Sequence, residues 1–209
     1  MSKTDNRLKS IEIALLLALA VTLLWGSTSL QRQDALAQKM IRLHVIANSD
    51  SEEDQALKLQ VRDQVLSYAT DILRSSADMK DAQNRLNRAL PQIERLAAEE
   101  IGNAGYAYAV SARLEETEFP LKEYDGFSLP GGEYLALRII IGEGTGHNWW
   151  CVVYPPLCTA AASEWEETAM SAGLGEDDIG LITEENTGYA LRFRSLELWE
   201  SLRQWLNKR

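Results

Sequence analysis

Residues Gly142 to Cys158 read Gly-Glu-Gly-Thr-Gly-His-Asn-Trp-Trp-Cys-Val-Val-Tyr-Pro-Pro-Leu-Cys, and no other stretch of this 209-residue chain restricts its fold as tightly. Between three alternating glycines and a Pro-Pro stop, Trp149 to Tyr154 has the β-branched and aromatic content of a strand. Neighbouring side chains of a strand point to opposite faces, so Trp149 and Trp150 cannot fill the same core. One of them belongs to the core and the other is left to a second layer, a loop or a partner. Cys151 and Cys158, the two cysteines of the chain, are near enough in sequence to be joined across the turn set by Pro155 and Pro156. The segment reads as a stapled recognition element rather than a reaction centre.

Whether the staple forms depends on the compartment. Lys3, Arg7 and Lys9 precede an uncharged apolar run from Ile13 to Trp25, which as a helix rises about 20 Å against the roughly 30 Å of a bilayer core. A basic flank before a short apolar run is the pattern of a secretory signal. Small residues at Ser27 and Ser29, or at Ala35 and Ala37, offer cleavage positions, and an uncleaved anchor over residues 11–30 is the alternative. Export permits a disulfide between the two cysteines. Removing Lys3, Arg7, Lys9 and Arg32 with Asp5, Glu12 and Asp34 from totals of 21 basic and 31 acidic side chains leaves 17 and 28, a net charge near −11. That balance disfavours nucleic acid and anionic lipid, which both require basic surface. Residues 1–37 are therefore expected to be a signal peptide or anchor, and residues 38–209 a single extracytoplasmic domain.

Within that domain, Ile41, Leu43 and Val45 alternate with Arg42 and His44, a short strand ending at Asn48-Ser49-Asp50. Ser51 and Asp54 open a helix with the spacing of a capping box, and Leu57, Val61, Val65, Tyr68 and Ile72 form its apolar stripe. A second helix from Met79 meets Pro91, which is expected to break it or start a new one before Gly102. Tyr106 to Leu114 alternates as a strand, Tyr134 to Ile141 is a buried strand, and Gly142 to Gly146 is expected to make a hairpin-like connection to Trp149–Tyr154. Residues 159–186 are expected to be helical and then loop, followed by a strand at Tyr189, Leu191 and Phe193 and a closing helix after Ser195. The fold class is α+β: a small antiparallel sheet packed on two or three helices, with a C-terminal helix.

Catalytic signatures fare poorly. The Gly142-x-Gly144-x-Gly146 run lacks the helix N-terminus that a phosphate cradle needs, and Glu143 would repel phosphate. His44, His147, Cys151 and Cys158 have no metal-ligand spacing, so no metal or other cofactor is expected. No Gly-x-Ser-x-Gly elbow occurs. Carboxylate pairs from Glu115, Glu116 and Glu118, or Glu99 and Glu100, keep open a cell-wall or carbohydrate-active enzyme, although any acidic chain offers such pairs. A polar cluster remains at the first helix and its cap, beside the strand carrying His44: Asn48, Ser49, Asp50, Asp54, Gln55, Lys58, Arg62 and Asp63. It is either capping with surface ion pairs, each worth a few tenths of a kcal/mol, or a recognition surface.

Leu43-His44-Val45-Ile46-Ala47-Asn48-Ser49-Asp50-Ser51-Glu52-Glu53-Asp54-Gln55-Ala56-Leu57-Lys58-Leu59-Gln60-Val61-Arg62-Asp63 closely resembles the stage II sporulation protein R family. So do Pro130-Gly131-Gly132-Glu133-Tyr134, continued by Ala136-Leu137-Arg138, and Asn148 to Cys158. The resemblance covers about residues 40–158. It implies a non-enzymatic signal, exported from the forespore into the space facing the mother cell. There it would trigger a membrane-embedded aspartic protease that processes the sigma-E precursor. Partner-binding residues are then expected among His44, Asn48, Ser49, Asp50, Gln55, Lys58, Arg62 and Asp63, together with Glu143, Asn148, Trp149 and Trp150. Membrane contact would run through the N-terminal apolar segment if it is retained.

Overall fold

The structure is a computed structural model that describes residues 12–17, 19–22, 31–158 and 164–183. The chain divides into two compact units, residues 1–36 and 37–209. In the first, the described residues 12–17, 19–22 and 31–36 are helical. No helix among the described residues is long and apolar enough to cross a membrane.

The second unit is α+β. Strand β1 (Ile41–Ile46) leads into helix α1 (Glu52–Leu73) and helix α2 (Met79–Asn103). Strand β2 (Val110–Phe119), the small hairpin β3 (Lys122–Tyr124) and β4 (Phe127–Leu129), and strands β5 (Gly132–Ile141) and β6 (Asn148–Tyr154) follow. Two short helices, α3 (Trp165–Ser171) and α4 (Glu176–Ile182), close the described part. The helix at 176–182 replaces the loop expected there. The strand and helix expected after residue 187 lie outside the described residues.

The main sheet has the order β2-β5-β1-β6. It is mixed, not antiparallel as the sequence suggested: β1 runs parallel to β5, while β1–β6 and β2–β5 are antiparallel. The correction has a topological cause. The connection of residues 142–147 is no hairpin, because β5 and β6 are not neighbours; it crosses the C-terminal end of β1, which lies between them.

Both long helices cover one face of this sheet. Leu57, Val61, Val65 and Ala69 of α1 and Leu86, Ile93, Ala97 and Ile101 of α2 pack with Leu43, Val45, Ile139, Cys151 and Val153. Helix α2 passes unbroken through Pro91. The proline ring sits on the exposed side, and the buried positions before it (Ala82, Leu86) and after it (Ile93, Ala97, Ile101) belong to one core-facing stripe. A proline inside a helix costs about 3 kcal/mol; each fully buried Leu or Ile offsets roughly 1.5–3 kcal/mol. Strand β2 begins at Val110, leaving Tyr106 and Tyr108 in the approach to it, stacked at 5.4 Å.

Candidate functional site

Most of the polar residues expected at a recognition surface hold two loops together. The loop after β1 and the crossover between β5 and β6 are joined at Asn48. Its Oδ1 accepts the Glu143 N–H at 3.0 Å, its carbonyl accepts the Thr145 hydroxyl at 2.8 Å, and its Nδ2 donates to Asp54 at 2.7 Å. Ser49 donates to the same Asp54 oxygen at 2.6 Å. These bonds hold the nearly buried Asp54 carboxyl below the usual range. They also explain why Asp54, whose N–H caps onto Ser51, pairs with neither the Ser51 N–H nor Lys58.

Gln55 and Lys58 complete the clasp. Gln55 donates to the Ser49 carbonyl, and Lys58 donates to Gln55 and to the His147 carbonyl at 3.0 Å. Burial lowers the Lys58 pKa. Asp50 accepts from the His147 backbone N–H at 2.6 Å and meets the His147 ring. The glycines are part of this fit. A Cβ on Gly146 would stand 2.1 Å from the Ser49 carbonyl oxygen, and one on Gly142, whose φ is +57°, 2.1 Å from Asn48 Oδ1. The alternating glycines therefore serve close backbone approach rather than ligand binding.

The two tryptophans separate as their adjacency requires. Trp150 faces the side of the sheet away from the helices, stacked on His44 at 3.8 Å and edge-on to Phe119 at 4.6 Å. His44 Nε2 and Asn148 Oδ1 are 2.8 Å apart, so His44 and Asn148 are structural partners. Burial pushes the His44 pKa down to about 4, helped by the charges of Arg138 and Arg42, so the ring is neutral and its Nε2–H donates to Asn148. Beside it the fully buried Arg42 lies 4.0 Å from the Phe119 ring and 4.9 Å from that of Tyr134, and donates to the Tyr124 hydroxyl at 2.7 Å. Sequence reasoning missed this aromatic cage. Its signal is two polar residues, Arg42 and His44, on a central strand whose second face is otherwise supplied with Phe119, Tyr134 and Trp150.

Trp149 points to the helix side but lies at its margin, and 37% of it is exposed. The Arg62 guanidinium sits 4.2 Å over its ring and pairs with Asp63 at 2.6 Å. Both line a cleft of about 400 Å³ between α1, the first half of β6 and the β3–β4 hairpin. Leu66, Phe127 and Leu157 supply apolar wall, and the Cys151–Cys158 disulfide forms part of the lining. Of the expected site residues, Arg62, Asp63, Trp149 and Trp150 thus meet at one cleft. Asn48, Ser49, Gln55 and Lys58 are committed to the clasp, and Glu143 contributes its backbone N–H there. No group of His, Cys, Asp and Glu among the described residues has the geometry to hold a metal ion.

Comparison with known proteins places these features in a family. No solved structure matches the chain. Stage II sporulation protein R of Bacillus subtilis (strain 168) is 37% identical over 123 residues, 59% of this chain and 55% of that protein. The chain thus spans about half the length of the curated relative it matches. The family described as stage II sporulation protein R matches residues 37–164, which take in the whole four-stranded sheet, the clasp and the cleft. With well over half of its length matched, the chain belongs to the stage II sporulation protein R family.

Proposed function

We propose that the chain is an exported sporulation signal that binds and activates a membrane-embedded aspartic protease, leading to processing of the sigma-E precursor in the mother cell. Family membership supports a sporulation role, and the observation that carries the binding reading is Trp149. It is an exposed tryptophan fixed by Arg62 at the rim of a cleft, on a scaffold whose neighbouring loops are locked by hydrogen bonds. Tryptophan and arginine are the residue types that most often dominate protein–protein binding. Activation requires that the signal bind the active protease state more tightly than the idle one. Residues 1–37 act as the export address or, if retained, as an anchor over residues 11–30.

The rival reading, a cell-wall hydrolase using paired carboxylates, draws no support from β2. Glu115 is bound to Arg138, and Glu116 and Glu118, which share the opposite face, both stand exposed to solvent. Co-expression of the full chain with the protease and the sigma-factor precursor in a non-sporulating host tests the proposal. Processing that depends on the chain is expected. Processing that is absent, or release of muropeptides from purified sacculi by the chain alone, would overturn it.

A further inference from the structure

Strand β6 is the last strand in the order of the main sheet, and the described residues cover only part of its outer edge. In an antiparallel pair the peptide groups of alternate residues turn toward and away from the neighbouring strand. Two contacts show which residues of β6 turn away from β1. The Val152 N–H donates to Cys158 Sγ at 3.0 Å, and the Trp150 carbonyl accepts the Tyr124 hydroxyl at 3.4 Å. The even-numbered residues therefore face outward, and the N–H groups of Asn148 and Trp150 meet no acceptor among the described residues. The disulfide loop blunts the far end of the strand, whereas along its first half the one described contact on the outer edge is that of the Tyr124 hydroxyl with the Trp150 carbonyl, and no described strand pairs there.

The cleft lies directly beside this open half, lined by Trp149, Trp150 and Cys151 on the strand side. Its volume of about 400 Å³ is ample for an apolar side chain of a partner. Its charges are unbalanced. Arg62 is committed to Asp63 and to the Trp149 ring, whereas the exposed Asp125 at the hairpin turn takes part in no ion pair among the described residues. The whole chain carries a net charge of −10. A partner complementary to this site is cationic where it meets the hairpin.

We infer that the open half of β6 takes an extended segment of a partner protein as an added strand. That segment places an apolar side chain in the cleft and a Lys or Arg two positions away facing Asp125. The two-residue spacing follows from the strand repeat, since side chains i and i+2 share a face. Main-chain hydrogen bonds to Asn148 and Trp150 would supply affinity, and the cleft with Asp125 would supply selectivity, as in other strand-addition complexes. The inference rests on the functional reading above only in taking the partner to be a protein.

The test needs neither the protease nor processing, so it fails or succeeds independently of that reading. A phage-displayed library of random nonapeptides is selected on the purified full chain held in detergent micelles. Enrichment of peptides with an apolar residue two positions from a Lys or Arg is expected. These should bind Asp125→Lys and Leu66→Arg at least about tenfold more weakly than the wild type, with circular dichroism checking that both variants fold. N-methylation of alternate amides of a selected peptide should abolish binding, while methylation of the intervening amides should not. No enrichment, equal binding to Asp125→Lys, or indifference to the position of N-methylation would overturn the inference. A dimer in sedimentation velocity that Asp125→Lys leaves intact, and that competes with the peptides, would make a second copy of the chain the occupant instead.

Discussion

The guanidinium of Arg62 lies 4.2 Å over the ring of Trp149, joining the middle of α1 to the edge strand β6 outside the main core. Its neighbour in sequence, Trp150, is stacked on His44 on the opposite side of the sheet. Two adjacent residues of the same type thus serve different ends, and substitution separates them.

Trp149→Ala is expected to leave the domain folded, with a stability loss of about 1 kcal/mol or less, the scale of an exposed cation–π contact. In the co-expression assay it should nevertheless lose precursor processing. Trp150→Ala removes the ring packed on His44 and Phe119 and should cost about 2–4 kcal/mol of unfolding free energy in urea titration. Full activity of Trp149→Ala would move the working surface elsewhere.

His44 gives the fold a pH dependence. Its pKa is about 4 in the folded state against 6.5 for the free side chain, because burial disfavours the charged ring. Above pH 6.5 both states are neutral and His44 adds no slope. Between 6.5 and 4 only the unfolded chain binds the proton, so stability falls as the pH drops, by up to roughly 3 kcal/mol. Urea midpoints measured across that window should fall for the wild type. The part due to His44 should vanish in His44→Phe.

The clasp between the two loops is expected to be a stability element. Gly146→Ala drives a methyl group onto the Ser49 carbonyl and should lower the melting temperature markedly. Asn48→Ala leaves the nearly buried Asp54 carboxylate short of one donor, at a cost of about 1–3 kcal/mol. Any loss of processing in these two variants should track loss of folded protein measured by near-UV circular dichroism, and should recover at lower temperature.

The Cys151–Cys158 bridge should be found in the mature protein as two fewer free thiols by mass spectrometry of the unreduced chain. Breaking it with Cys158→Ser is expected to cost about 2–3 kcal/mol by the loop-entropy estimate for so short a loop. Because the Val152 N–H donates to Cys158 Sγ, amide exchange at Val152 should accelerate in Cys158→Ala, which offers no acceptor in its place.

Local sequence was enough to place β1, α1, β5 and β6: β1 and α1 by a one-sided apolar pattern, β5 and β6 by continuous apolar runs, each ending at turn residues. Local pattern could not reveal that β1 lies between β5 and β6. Strand order depends on pairings between distant segments, and the glycine run suits a hairpin as well as a crossover. Pro91 misled for a related reason: the rule for a helix breaker is local, whereas the core stripe that carries α2 through it is not. At the site, residue types were legible but not their commitments. Asn48, Ser49 and Lys58 have the chemistry of a recognition surface, and only three-dimensional proximity shows that their hydrogen bonds are already spent within the chain. Arg42 escaped notice because a lone arginine in a strand reads as solvent-facing.

The placement of β1 also has a consequence for the order in which the molecule comes into being. Arg42 pairs with Ala136 on one side and with Val152 on the other, residues that follow it by 94 and 110 positions. A chain delivered from its N-terminus, whether from a ribosome or through a translocation channel, carries its central strand with both edges open until nearly the last described strand has arrived. Pairings this distant form slowly, because the loop must close before any contact rewards it. The α1–α2 hairpin can meanwhile form by itself through local contacts, so the sheet is the late event, and the clasp and the cleft can exist only after it.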